Sequence, residues 1–150
     1  MWTPRANSSE VESGKVMNLK GRTIRSDLLL ILVLLYGAAS LFHYAHNAEF
    51  LNDYPNLPDW LSPALVYGAW LAVTAVGLVG YFLIHRGYRL AGLAVLGGYG
   101  ALGLDGLAHY SLAPLSAHTF AMNLSIWLEA VTGALLLATV VALMLRRWRA

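Results

Sequence analysis

Four long apolar stretches alternate with short polar connections along the 150 residues of the chain. The first runs from Asp27 to about Phe50, the second from Pro63 to Ile84, the third from Leu90 to Ser111 and the fourth from Ala117 to Leu145. Each exceeds the ~20 residues that an α-helix needs to cross the hydrocarbon core of a bilayer. Their boundaries carry helix signals: Asp27 stands as an N-cap, Pro63 suits a first helical position, and Pro114 breaks the chain between the last two spans. Between Asn52 and Trp60, prolines and turn-forming Asn and Asp residues end the first helix, with Tyr54 and Trp60 placed for an aromatic belt at the membrane surface. The pattern predicts an all-α integral membrane protein with four transmembrane helices in up-down-up-down order.

Within the spans, polar and small residues recur at three- and four-residue intervals and so share helix faces. Tyr36, Ser40, His43, His46 and Asn47 lie on one face of the first span, and its first half is uniformly apolar. Tyr67, Trp70, Thr74, Gly77 and Tyr81 form a packing seam on the second. The third is glycine-rich, and small residues at this spacing let helix backbones approach closely in lipid, which places it at the centre of the bundle. Asp105 and His109 are at i and i+4, with Gly98 and Leu102 on the same face. The fourth span puts His118, Met122, Ser125, Glu129 and Thr132 on one stripe.

Composition agrees with a membrane solvent: 58% of residues are hydrophobic, 12% are charged, and the mean hydropathy is +0.57. The net charge of +2 is too small to point to nucleic acid. Every Lys and Arg lies in the N-terminal segment, in the turn around His85–Arg89, or at the C-terminus, whereas the other two connections have none. That asymmetry predicts both termini in the cytoplasm of a multi-pass protein of the plasma (inner) membrane. Residues 1–26 read as a weakly ordered polar cytoplasmic tail, with a short interfacial helix near Val16–Leu19, retained rather than cleaved as a signal. Residues 27–145 form the transmembrane domain and 146–150 a basic, aromatic end. No cysteine is present, which excludes disulfides, thiolate metal sites and Cys nucleophiles.

The ionisable groups inside the spans are the candidate chemistry, because a charged or imidazole side chain at membrane depth costs several kcal/mol unless paired or bound. At about 1.5 Å per residue, His46, Glu49, His109 and His118 fall near the outer surface, His43, Asp105 and Met122 about two turns deeper, and Glu129 near the midplane. His43, His46, Asp105, His109 and His118 form a nitrogen and oxygen donor set of the kind that suits copper, zinc or iron. Asn47, Glu49, Met122 and Glu129 stand behind it as supporting groups or a proton relay. Two other readings are open. Asp105 could pair with His109 or His43, and Glu49 with His46, as hydrogen-bonded locks between helices; or His43 and His109 could bind a b-type haem. His85, beside Arg86 and Arg89, belongs to a solvated turn and not to the site.

His46-Asn-Ala-Glu49-Phe50 followed by Pro58-Asp-Trp60 resembles the His-x-x-Glu-Glu stretch of small bacterial HxxEE-type membrane proteins, with Phe50 in place of the second glutamate. The resemblance implies a small multi-span protein and no particular chemistry. Asp105-x-x-x-His109 with His118 beyond it is similar in ligand pattern to the Asp, His, His copper site in the membrane region of particulate methane and ammonia monooxygenases. Two function classes follow. One is a membrane metalloprotein, a small enzyme or a metal-handling protein, with its site facing outward. The other is a non-catalytic accessory subunit that packs through the glycine-rich third helix against a larger membrane complex or a second copy.

Overall fold

The computed structural model describes the backbone over residues 8–148 and the side chains over residues 27–146. Every regular element among the described residues is helical: α1 (Ser8–Glu49), α2 (Pro63–His85), α3 (Arg89–Leu102), α4 (His109–Leu112) and α5 (Phe120–Trp148), with single 3₁₀ turns at Leu51–Asp53, Asp105–Ala108 and Leu115–Ala117. Four segments are long and apolar enough to cross a membrane: Asp27–Glu49, Pro63–His85, Arg89–Leu112 and Phe120–Arg146.

Two boundaries differ from the sequence expectation. The first helix starts at Ser8 and runs through Asp27, which is therefore an interior helical position and not a cap. The short helix expected near Val16–Leu19 is part of the longer α1, while residues 1–7 lie outside the described part, as do Arg149 and Ala150 of the basic end. The third span is not one helix. It breaks after Leu102, passes through the Asp105–Ala108 turn and resumes as the four-residue α4.

The chain divides into two compact units after Ile31, and the second, from Leu32 onward, holds α2 to α5. There α3 packs against both α2 and α5. Glycines make the approach close enough: a Cβ placed on Gly92 would lie 2.7 Å from the Gly80 carbonyl oxygen of α2, and one on Gly133 of α5 would lie 2.6 Å from the Gly100 carbonyl oxygen. No side chain fits in either gap. Tyr36 of α1 fills the space beside Gly103, its ring 4.4 Å from that of Tyr99. The packing seam expected on α2 is partly realised, with Gly77 against the Tyr99 ring.

α2 starts at Pro63 with the Ser62 hydroxyl accepting from the Leu65 amide, and ends at a tight turn in which Gly87 takes φ 88°. The connection from α1 to α2 is held differently. Asn56 adopts φ 59° and its side-chain amide donates to the Leu112 carbonyl at 2.8 Å, which fastens this loop to the end of α4.

Candidate functional site

The 3₁₀ turn at Asp105–Ala108 decides which side chains meet. Four residues advance a helix by about 40° past a full turn in α geometry but by about 120° in 3₁₀ geometry. Asp105 and His109 therefore do not share a face: His109 is buried and Asp105 is exposed. The same turn brings the Gly106 backbone against α5, where a Cβ on Gly106 would be 3.2 Å from Glu129 Oε2 and 3.6 Å from His43 Nε2.

The centre so formed comprises His43 and Asn47 from α1, His109 from α4, and Ser125 and Glu129 from α5, all buried. Ser125 donates its hydroxyl proton to the Met122 carbonyl at 2.9 Å, so the oxygen 3.2 Å from His43 Nδ1 can only accept. His43 is thereby held with its proton on Nδ1 and an electron pair on Nε2. The Asn47 amide nitrogen lies 3.4 Å from His43 Nε2 and 3.1 Å from His109 Nε2. Its two hydrogens serve both rings; the opposite amide orientation would set an oxygen against the His43 electron pair. His109 accordingly also faces inward with an electron pair on Nε2. Glu129 Oε2 is 3.6 Å from His43 Nε2.

Several buried polar atoms of this group have no protein partner: Asn47 Oδ1, His109 Nδ1 and Glu129 Oε1. Beside them is a cavity of about 260 Å³. His43, Tyr44, Asn47, His109, Glu129 and Asp105 contribute its polar part, and Leu57, Leu61, Leu65, Val66, Ala69 and Leu112 much of its apolar wall.

The other sequence candidates form an outer layer. His118 is buried at the corner before α5, its Nδ1 donating to the Pro114 carbonyl at 3.1 Å and its ring 6.1 Å from that of His109. His46 bonds the Tyr54 hydroxyl at 2.9 Å rather than joining His43. Met122 is buried, and its sulfur accepts from the Thr119 amide at 3.3 Å at the start of α5. Glu49 is directed elsewhere, accepting from the Tyr67 hydroxyl of α2 at 2.8 Å; the expected Glu49–His46 lock is not formed. No three His, Asp or Glu side chains among the described residues are gathered so that they could hold a metal ion as they stand.

Tyr54 is the functional-region residue that sequence reasoning misplaced. Expected in an aromatic belt at the membrane interface, it is 4% exposed, and its ring lies 5.0 Å from that of His109 and 6.4 Å from that of His118. The Leu51–Asp53 turn folds the chain back over the end of α1 and carries Tyr54 inward, and burial raises the pKa of its phenol. Trp60, 72% exposed, keeps the position expected of a surface aromatic. Ser125 was visible only as one member of the α5 stripe.

Compared with known protein families, curated proteins and solved structures, the chain matches none.

Proposed function

We propose that this is a four-span protein of the plasma (inner) membrane, up-down-up-down with both termini cytoplasmic, that binds a transition-metal ion at a centre redrawn around His43, His109 and Glu129. The observation that carries the reading is the convergence of electron pairs. Hydrogen bonding on the far side of the His43 ring leaves the electron pair on Nε2, which faces Glu129, and Asn47 donates to the inward nitrogens of both His43 and His109. Metal-bound histidines characteristically donate the other ring N–H to an oxygen, as His43 does to Ser125 and His118 does to Pro114. The 3.6 Å separation of His43 Nε2 and Glu129 Oε2 is long for a hydrogen bond. It is close to the ~3.4 Å between two ligands that share a tetrahedral ion at about 2.1 Å each.

In this reading His43, His109 and Glu129 would hold the ion, and the Asn47 amide that now donates to both rings would have to give way to it. Asp105, on the cavity wall, supplies a further carboxylate within the same chamber. A metal there would supply Lewis acidity or redox chemistry; the residues around it would orient the imidazoles and keep water out on the apolar side.

A second reading is favoured by a specific observation. Asn47 already bridges His43 and His109, and no three His, Asp or Glu donors among the described residues are gathered as they stand. That is what an interhelical lock in an accessory subunit would look like.

Elemental analysis separates the two. Protein purified in mild detergent without chelator, then offered zinc, copper and iron in turn, should retain close to one equivalent of metal per chain. His43→Ala and Glu129→Gln should each weaken retention by about 10-fold or more, and His85→Ala should not. Failure of the parent to retain any of the three metals would leave the lock reading in place.

A further inference from the structure

The cavity differs from its surroundings in the sign of the groups that line it. Its polar part offers the Asp105 and Glu129 carboxyls, and no Lys or Arg lines it. Two of its buried oxygens, Glu129 Oε1 and Asn47 Oδ1, are unpartnered, and the unpartnered donor is the single His109 Nδ1. Glu129 is 1% exposed and Asn47 9%, so neither oxygen is satisfied by bulk water. The remaining wall is aliphatic, from Leu57, Leu61, Leu65 and Val66 among others.

From these features we propose that the cavity binds a small amphipathic amine, its ammonium group donating to Asp105, Glu129 and Asn47 and its aliphatic body lying along the leucine-rich wall. A donor-rich, positively charged head suits a lining that carries two carboxyls and no Lys or Arg; a carboxylate or phosphate head would meet those two acidic groups with no cation to offset them. The volume of about 260 Å³ is just below the ~300–1,000 Å³ typical of sites for drug-sized molecules, which limits the ligand to a short chain or one small ring. The inference goes beyond metal binding and does not require it, since the carboxyls and the wall are present without an ion. Where both ligands bind, they compete, because both are cations drawn to the same oxygens.

The test uses octylamine, octanol and octanoate, which share a body and differ in head charge, titrated into the full chain in nanodiscs of zwitterionic lipid after chelator treatment. Saturable binding is expected for octylamine, weaker by about tenfold or more in Asp105→Asn, an exposed position whose substitution leaves the core intact. Ala69→Trp, on the cavity wall, should abolish it by filling the space. Octanoate binding as tightly as octylamine would overturn the proposal. So would octylamine uptake unchanged in both variants, which is partition into lipid. A chain that binds octylamine but never retains metal would sink the metal reading alone, and metal retention without saturable octylamine binding would sink this one alone.

Discussion

At Gly106 the structure leaves no room for even one methyl group without pressing on the site. An added Cβ lies 3.2 Å from Glu129 Oε2, a contact tighter than ordinary van der Waals packing, and 3.6 Å from His43 Nε2. Gly106→Ala should therefore push the carboxylate away from the imidazole and weaken metal retention severalfold. The fold should survive with a loss of about 1 kcal/mol, within the range of mild overpacking. Metal content and thermal unfolding measured on one preparation check both halves. The side-chain chemistry was partly legible at this scale: His43, His109 and Glu129 stood out because ionisable groups are rare in apolar spans. Their mutual arrangement was not. It depends on the Ser125 hydroxyl and the Asn47 amide, whose bonds reach across 82 and 62 positions of the chain.

Elements are held together here by missing side chains. The Gly100 and Gly133 backbones meet where α3 crosses α5, and in lipid such contacts replace the hydrophobic drive that helices have in water. Gly133→Val should force the helices apart and lower stability by roughly 2–3 kcal/mol, as overpacking at a rigid backbone contact does. Gly98→Ala, at a glycine with nothing within 4 Å, should be neutral or slightly stabilising through helix propensity. Unfolding in mixed detergent reads the difference, and equal effects at the two positions would refute the contact. The glycine pattern and the span lengths could be read from sequence because spacing and hydropathy are local properties. The break after Leu102 could not: Gly103 and Gly106 resemble other glycines of a membrane helix, and what sets them apart, the closeness of Tyr36 to the one and of Glu129 to the other, comes from distant parts of the chain. Tyr54 went astray for a related reason, since an amphipathic aromatic beside a span suits either an interface or a buried polar cluster.

At the scale of the whole molecule, direction across the membrane determines which compartment the cavity meets. All Lys and Arg lie in the N-terminal segment, the His85–Arg89 turn or the C-terminal end, and the connections containing Asp59 and Leu115 have none. Short loops with this asymmetry orient with their basic side in the cytoplasm. The chain has no cysteine, so single introduced thiols report without background. Asp59→Cys, at an exposed loop position, should react with an impermeant maleimide on intact cells. Arg86→Cys, exposed at the opposite kind of turn, should react only after the membrane is opened. Arg86 is one of few charges that set orientation, so Gly87→Cys gives a check that leaves the charge in place, despite the strain of φ 88° at that position. The expected pattern places the Asn56–Leu112 fastening, and with it the end of the cavity lined by Leu57 and Leu61, toward the outer face. Metal or amine would then arrive from outside the cytoplasm. Labelling of Arg86→Cys and Gly87→Cys on intact cells, with Asp59→Cys protected, would invert the molecule and make the site one that draws on the cytoplasmic pool.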